Sequence, residues 1–399
     1  AASDVYKRQT LYWGLALKRR TSLKKFIIIA PVILSIIAVI VCFQLQQQYI
    51  PVSLSEQISE KISDSGQSGE YDITSTSFGE TTAASVTTDN SFSITLSFVG
   101  DCLCATDANT SYANCFEEVA AKEPPEYFLK KVNKYFKNDD FTIADCENVY
   151  SDSNNLQVSD KGQYSDPNIE AYWFKTDAKN ARILSAGGID MVSISNNHIN
   201  DYGSQGHIDT KKALDSAGVK WGEEGKIVYF EKNSFKIGVI CVSMYNDGVV
   251  ESIKTYIKKA SKKSDYQIIY FHGGTEAVHK PESWKVNACH TLIDSGADLV
   301  IGDHPHVLQP LEIYKGKTII YSMGNFIFGG NRHPENRTII YQHTLSFDSP
   351  GALAKESGKI IPCYVYTGDM NNWQPAVIKD KATKKKVLDF MHQKSDSPL

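Results

Sequence analysis

The sequence predicts a mixed α/β domain built in layers, with one membrane-spanning helix in front of it. Two observations predict the domain: short apolar strands alternate with amphipathic helices from Ser91 onwards, and two hairpins join later strands. A third observation predicts the membrane helix, because residues 26–43 contain no charged side chain. Alternating strands and helices indicate a sheet covered by helices, whereas hairpins add antiparallel strands to it.

Length and charge limit the functions open to the chain. It has 399 residues, enough for one large domain or two ordinary ones, and a formal net charge of -4. We find no internal repeat and no second linker, so residues 91–393 are assigned to one domain. The mild charge gives no electrostatic case for nucleic acid as the main partner.

The segment 26–43, FIIIAPVILSIIAVIVCF, has about the length needed to cross a bilayer as a helix. Five basic residues lie within the eight positions directly before it: Lys18, Arg19, Arg20, Lys24 and Lys25. By the positive-inside rule we expect residues 1–25 in the cytoplasm and the main domain outside the cell, held at the cell membrane by a single pass. A cleaved signal peptide is the alternative, but no A-x-A site follows the apolar run. Residues 44–90 are rich in Ser, Thr, Gln, Gly and Glu, which predicts a disordered stalk.

Seven of the eight cysteines follow the predicted membrane span. Cys102, Cys104 and Cys146 lie beside candidate site residues, but no C-x-x-C or Cys/His zinc-finger spacing is present. We therefore favour buried cysteines or disulfides over thiolate ligation of a metal.

Strand and helix signals follow one another through the first half of the domain. Apolar alternation or continuous apolar runs predict strands at 91–100, 140–147 and 189–195. Helical spacing predicts helices at 124–138, which has a proline start, at 176–188, which has a Thr/Asp N-cap and a Gly stop, and at 204–218, which ends at a glycine.

The second half adds two hairpins. The first, at 226–243, is predicted to turn at Asn233-Ser234, and the second, at 307–326, at Lys315-Gly316. Between them we expect a lysine-rich helix at about 250–264, a strand at 266–272, a helix at 282–296 and a strand at 297–302.

Polar side chains of ligand type follow five of the predicted strands. They are Asp101; Asp145 and Glu147; Asn196, Asn197, His198 and Asp201; His272 and Glu276; and Asp303, His304 and His306. Each residue alone also fits a turn, a solvated surface acid or a satisfied core histidine. Loops beyond the carboxyl ends of strands are where α/β sheets bind ligands, so the set as a whole predicts one shared site.

The stretch GDHPH gives the strongest single signal. Proline biases the residue before it towards an extended conformation, and alternate residues of an extended chain point the same way. We therefore expect His304 and His306 to present both rings to one centre or to two adjacent ones. Mixed oxygen and imidazole ligands suit Mn²⁺, Zn²⁺ or Fe²⁺, and one or two such ions would polarise the bond under attack.

Six ordered blocks carry a family resemblance: FVGDCLCATD, DCENVYSD, SISNNHINDYG, FHGGTE, GDHPHVLQP and YSMGNFIF. In order and spacing they resemble the CapA family of poly-γ-glutamate capsule synthesis proteins, from about Ser93 to Phe328. That family is similar to the calcineurin-like metallophosphoesterases, so the resemblance implies a layered sandwich of two mixed sheets flanked by helices. It also implies an anionic surface polymer such as poly-γ-glutamate as substrate, and membrane synthase or exporter subunits as partners.

The resemblance implies a role for each matched position. The implied metal ligands are Asp101, Glu147, Asn197, His272, His304 and His306, and His198 is the implied acid. Supporting or substrate-orienting roles fall to Asn196, Asp201, Glu276, Asp303 and Asn325.

The sequence departs from the pattern at several positions. The family usually has histidine at Asp303, tryptophan at Gly273 and Asn-Leu in place of Asp145-Cys146, and metallophosphoesterases have histidine at Leu103. Three functions stay open: a metal-dependent hydrolase or transferase, a non-catalytic polymer-binding accessory protein, and a general surface phosphoesterase.

Overall fold

A computed structural model describes residues 90–159, 171–330 and 335–399. The predicted cytoplasmic segment 1–25, the membrane span 26–43 and, apart from Asn90, the stalk 44–90 lie outside these residues. Among the residues described, no helix has both the length and the apolar character needed to cross a bilayer.

The described chain contains sixteen strands. In chain order they are β1 (Phe92–Cys102), β2 (Phe141–Cys146), β3 (Val149–Tyr150), β4 (Lys175–Thr176), β5 (Met191–Ser193), β6 (Lys220–Gly222), β7 (Ile227–Lys232), β8 (Phe235–Ser243), β9 (Tyr266–His272), β10 (Leu299–Asp303), β11 (Leu308–Tyr314), β12 (Lys317–Met323), β13 (Asn325–Ile327), β14 (Arg337–Ser349), β15 (Ala352–Tyr364) and β16 (Ala376–Val377).

Eight α-helices connect or cover these strands within the same ranges. They are α1 (Phe116–Ala120), α2 (Glu126–Leu129), α3 (Asn133–Phe136), α4 (Arg182–Gly187), α5 (Gly203–Ala217), α6 (Val250–Ala260), α7 (Ser283–Asp294) and α8 (Lys381–Met391). Short 3₁₀ turns precede α4, at Ala178–Ala181, and α6, at Asp247–Val249.

Two mixed sheets form the body of the fold. The first has the order β16-β15-β14-β1-β2-β5-β6, with β13 also pairing to β1, and the second has the order β11-β12-β10-β9-β8-β7. The central pairs β1–β2 and β9–β10 are parallel, so their carboxyl ends lie at the same edge of each sheet. The prediction of a layered α/β domain with two mixed sheets is confirmed.

Alternation along the strands separates three apolar layers. Even-numbered residues of β1, such as Leu96 and Phe98, pack with Ile268 and Ile301 in a core between the two sheets. The opposite faces are covered by helices: α1 to α5 pack on the first sheet, and α6 and α7 on the second. The order of layers is therefore helix, sheet, sheet, helix.

A buried polar network joins the two sheets at the amino end of β9. The Tyr266 hydroxyl donates to Glu356 Oε2 at 2.7 Å and lies 3.0 Å from His343 Nε2. Lys317 Nζ donates to Glu356 Oε1 at 2.9 Å. Because β9 and β12 belong to the second sheet and β14 and β15 to the first, this network connects the sheets with polar contacts.

Both predicted hairpins turn where expected. Asn233 and Ser234 have φ of 52° and 65°, and Lys315 and Gly316 have φ of 50° and 78°, as a two-residue turn with left-handed residues requires. Gly218 ends α5 with φ of 75°.

One prediction needs correction, and one pair of strands was not predicted. The helix expected at 124–138 is two short helices, α2 and α3, because Val132 between them leaves helical geometry with φ −125° and ψ −15°. The long antiparallel pair β14 and β15 was not predicted, although β14 lies directly beside β1 at the centre of the first sheet.

Candidate metal centre

The carboxyl ends of strands from both sheets meet at one place. In the first sheet Asp101 on β1 lies opposite Asp145 on β2, and in the second His272 on β9 lies opposite Asp303 on β10. The four side chains are 0% exposed. The polar residues predicted from strand ends therefore gather between the two sheets.

His272 is the middle of a carboxylate group. Its Nδ1 lies 2.9 Å from Asp303 Oδ1, 3.6 Å from Asp101 Oδ1 and 3.7 Å from Asp145 Oδ2. One ligand atom from each of these four residues lies within 4.8 Å of the other three, close enough to hold one metal ion.

The other ring nitrogen of His272 faces a second group. Nε2 lies 2.9 Å from Asn197 Oδ1, 3.0 Å from His304 Nδ1 and 3.5 Å from Glu147 Oε1. Glu147, His304 and His306 each offer an atom within 4.8 Å of the others. The centre therefore has two adjacent groups of potential ligands that meet at His272.

His304 and His306 reach the centre by a different route from the one predicted. Their φ values are 91° and 58°, so both lie in the left-handed region and neither continues the extended chain. Left-handed backbone in a non-glycine residue costs about 1–3 kcal/mol, and outside turns such as those of the two hairpins it clusters at functional sites. Asp101 supports this turn, because its Oδ1 accepts the His304 main-chain N–H at 3.3 Å.

His198 stands beside the centre and is oriented by an acid. Its Nδ1 lies 2.9 Å from Asp201 Oδ2, and its Nε2 lies 3.9 Å from Glu147 Oε1. Asn196 fixes the loop, since its side-chain amide donates to the Cys146 carbonyl at 2.8 Å and its Oδ1 accepts the His198 main-chain N–H at 3.0 Å. The Nε2 atom of His198 is therefore directed towards the groups at the strand ends.

Burial and like charges perturb the titration of the centre. Burial, followed by the nearby carboxylates Asp303 and Asp101, raises the pKa of Asp145. Burial and Asp101 likewise raise the pKa of Asp303. Burial and the neighbouring ring of His304 lower the pKa of His272, so this imidazole is neutral at pH 7. Because Nδ1 of His272 donates to Asp303, its Nε2 carries a lone pair towards the second group.

Several buried carboxylate oxygens make no hydrogen bond. They are Asp101 Oδ2, both oxygens of Glu147, and Asp303 Oδ2. Burial raises the pKa of Glu147, which reflects the cost of ionising it there. Burying charges without partners costs several kcal/mol. The lone pair on Nε2 of neutral His272 also faces Asn197 Oδ1, so two hydrogen-bond acceptors lie against each other. Divalent cations fit this donor set, because each of these atoms has a lone pair to offer.

The remaining predicted residues divide into two kinds. Asn325 is buried opposite Asp101 in the β1–β13 pair, and its Oδ1 lies 2.8 Å from His306 Nδ1. Glu276 is exposed in the loop that follows β9. The structure thus brings the predicted site residues together, with Glu276 exposed but close enough to act electrostatically on Glu147 and His306.

Three residues near the centre received no predicted role. Asp145 was recognised only as a strand-end acid. Tyr245 follows β8, donates from its hydroxyl to Asn197 Oδ1 at 3.1 Å and places its ring 5.1 Å from that of His304. Lys285 on α7 is 0% exposed and donates to Gln309 Oε1 at 2.8 Å. In the sequence it resembles an ordinary solvated helix lysine, so its burial was not predicted.

Gly273 explains one departure from the family pattern. A Cβ at this position would lie 1.8 Å from the Met244 main-chain oxygen. The tryptophan usual in the family therefore has no room on this backbone.

The cysteines beside the centre are free thiols. Cys102, Cys104 and Cys146 are buried, and burial raises the pKa of the Cys104 thiol to about 12. A protonated thiol is a poor metal ligand, and neither candidate ligand group among the described residues contains sulfur.

Residues 95–330 match the family described as bacterial capsule synthesis protein PGA_cap. The match covers more than half of the chain and contains every candidate residue of the centre. The chain belongs to this family. The resemblance to the CapA family is thereby confirmed.

Two relatives of this PGA_cap protein are named CapA. The capsule biosynthesis protein CapA of Bacillus anthracis is 26% identical over 254 residues, which cover 56% of this chain and 60% of that protein. The PGA biosynthesis protein CapA of Bacillus subtilis (strain 168) is 25% identical over 317 residues, covering 74% of this chain and 76% of that protein. The chain thus spans only three fifths of the length of the first relative. A hypothetical protein from Thermus thermophilus gives a structural match with a TM-score of 0.40 and 15% identity, over 67% of this chain and 99% of that chain.

Proposed function

We propose that this PGA_cap protein is a metal-dependent hydrolase or transferase that acts on an anionic surface polymer, poly-γ-glutamate first among them, in capsule biosynthesis. One observation carries the proposal. Buried carboxylate oxygens without hydrogen-bond partners surround the neutral imidazole of His272, directly beside a histidine oriented by an acid. The names of the Bacillus relatives support the polymer.

The two groups of potential ligands support one or two ions of Mn, Zn or Fe. Asp101, Asp145 and Asp303 would hold one of them. Glu147, His304 and His306, with Asn197 and Nε2 of His272, would hold the other. Bound there, divalent ions supply a Lewis acid for the carbonyl or phosphoryl group under attack. The four-layer order of helices and sheets agrees with a calcineurin-like metallophosphoesterase sandwich.

His198 has the geometry of a proton donor. Asp201 accepts a hydrogen bond from Nδ1 and stabilises the charged ring, so Nε2–H can protonate a leaving amine or alkoxide. Burial of the dyad, with His198 at 7% and Asp201 at 0% exposure, strengthens this interaction by excluding water.

Cations at the centre would also allow an anionic substrate to approach it. The buried acids Asp101, Asp145, Glu147 and Asp303 would repel a polycarboxylate once ionised, and bound cations would neutralise them. Metal ions therefore serve binding as well as chemistry, and we expect polymer turnover to disappear when they are removed.

The experiment compares His198→Asn with His207→Asn in the purified full chain. His207 lies on α5 and pairs with Glu223 at 2.9 Å, away from the centre, which makes it a matched control. Poly-γ-glutamate is incubated with each protein and Mn²⁺ or Zn²⁺, and chain length is followed by size-exclusion chromatography. We expect His198→Asn to lower the rate at least about 100-fold with unchanged metal content, and His207→Asn to change it less than twofold.

Full activity of His198→Asn would overturn the catalytic assignment. Turnover of chromogenic phosphate esters without turnover of the polymer would instead identify a general surface phosphoesterase. Both assays use the same protein preparations, so the outcomes can be compared directly.

A non-catalytic accessory role is the second candidate, and Leu103 favours it. Metallophosphoesterases have a histidine ligand at this position, whereas Leu103 is buried with 2% exposure and offers no ligand. In that case the domain would bind the polymer beside a membrane synthase or exporter. Tight polymer binding together with absence of Mn, Zn and Fe from the purified chain would establish this role over the enzymatic one.

We also propose that residues 26–43 anchor the domain outside the cell membrane. The uncharged stretch and the basic residues before it support this topology. Labelling of single cysteines, placed in residues 1–25 and in the domain, with a membrane-impermeant maleimide on intact cells tests it. Labelling of the first site but not the second would overturn the orientation.

A further inference from the structure

A groove of about 480 Å³ runs along the outer face of α5, on the helical side of the first sheet. Its walls are the loop that follows β3, the 3₁₀ turn before α4 and the first residue of α4. It shares none of its lining residues with the candidate metal centre.

The floor of the groove is one face of α5. Asp209, Ala213, Ser216 and Ala217 line it at the spacing of successive helical turns, and Ala178 lies across from them. Except for Asp209 these side chains are small, so the floor is shallow and a linear chain can lie against the helix.

Three cationic side chains border the groove: Lys179, Arg182 and Lys212. All are exposed, and Lys179 pairs with Asp177 at 3.1 Å. Arg182 and Lys212 form no ion pair within the ranges that the structure describes. Their charges are therefore available to an anion.

The two acids in the lining are used within the protein. Asp209 accepts the Ser151 hydroxyl and the Gln205 side-chain amide, both at 2.7 Å. Asp152 accepts the main-chain N–H of Ala178 at 2.9 Å. These hydrogen bonds hold the walls together and satisfy carboxylate oxygens that would otherwise face a ligand.

The groove lies near the metal centre along the chain. Ser151 in its wall is four residues beyond Glu147, which places the two at most about 14 Å apart. A polymer chain can therefore occupy the groove while another part of the same chain reaches the centre.

We propose that this groove binds an extended segment of a polycarboxylate chain through Arg182 and Lys212. The proposal rests on the proposed function for the choice of polymer, but it concerns a separate surface. Binding there would hold the polymer at the protein between encounters with the metal centre.

The test measures binding of fluorescently labelled poly-γ-glutamate to the full chain by anisotropy, at increasing NaCl. Arg182→Gln/Lys212→Gln removes the two free cations of the groove. The matched control, Lys258→Gln/Lys259→Gln, removes two exposed charges from α6, which covers the second sheet. We expect the groove variant to bind at least about tenfold more weakly, with a shallower salt dependence, and the control to change less than twofold.

Equal weakening in both double variants would overturn the proposal, because net charge alone would then explain binding. Unchanged affinity of the groove variant, or tighter binding of polyphosphate of equal charge, would also overturn it. His198→Asn separates this proposal from the proposed function: if it abolishes turnover and keeps wild-type affinity, the groove binds independently of chemistry. If the wild-type chain binds the polymer through the groove and never cleaves it, the proposed function fails and the groove stands.

Discussion

Replacing Asp303 by asparagine is expected to weaken metal binding and to stabilise the metal-free protein. The change keeps the shape of the side chain and its hydrogen bond, because an amide oxygen can still accept from His272 Nδ1 at 2.9 Å. It removes one negative charge from a group in which Asp101 and Asp145 also offer oxygens within 4.8 Å. Weaker metal binding and higher stability of the metal-free protein therefore have the same cause, the loss of this one charge.

The magnitudes follow from the structure. A carboxylate that orients a metal-binding histidine typically contributes 10- to 100-fold to metal affinity, which is about 1.4–2.7 kcal/mol. Without metal, Asp303 is a buried acid whose Oδ2 has no hydrogen-bond partner and whose neighbours repel it. Relief of that repulsion is expected to raise the free energy of unfolding of the metal-free protein by about 1–3 kcal/mol at neutral pH.

Metal affinity is measured by competition with a chromogenic chelator, and stability by urea unfolding after chelation. Asp107→Asn is the matched control, because Asp107 is nearly buried but accepts hydrogen bonds from Asn109, Thr110 and Trp173 outside the centre. The control should lose stability and keep its metal affinity. Unchanged metal affinity in Asp303→Asn, or lower stability of its metal-free form, would refute the reasoning.

Three further predictions concern other sites. Gly273→Ala should lower the free energy of unfolding by about 3 kcal/mol or more, since its Cβ would meet a main-chain oxygen at 1.8 Å; a normal melting temperature would contradict this. Tyr245→Phe keeps the ring but removes the donor to Asn197, so metal affinity in the chelator assay should fall about 2- to 10-fold, and no change would show that the hydroxyl is dispensable. Burial alone would raise the pKa of Glu356, but its hydrogen bonds to the network at the amino end of β9 lower it to about 2. The contribution of the Glu356 carboxylate to stability is therefore complete above about pH 4.5 and is lost as pH falls towards 2. Glu356→Gln should flatten that part of the acid unfolding profile. An unaltered profile would contradict the assignment.

Local rules were sufficient for much of the fold and for the choice of site residues. Two-residue turns with left-handed residues were visible at Asn233-Ser234 and Lys315-Gly316 because few sequences tolerate that geometry. The site residues were visible because parallel strands bring their carboxyl ends to one edge, so a strand-end residue such as His272 has a predictable neighbourhood.

Contacts between distant parts of the chain could not be predicted in this way. The route of His304 into the centre depends on a left-handed backbone stabilised by Asp101, which lies 203 positions earlier. Lys285 is buried only because α7 packs over β10 and β12, and nothing in its own helix distinguishes it from solvated lysines. Tyr245 belongs to no motif, and its place above His304 follows from the pairing of β8 with β9.

The division of the ligand atoms between two sheets has a consequence for how the protein matures. Asp101 is synthesised early and His306 late, and neither half of the sandwich contains a complete set of ligands. An ion can therefore be captured only after translation has passed both, so the metal supply that matters is the one in the compartment where the finished sandwich assembles.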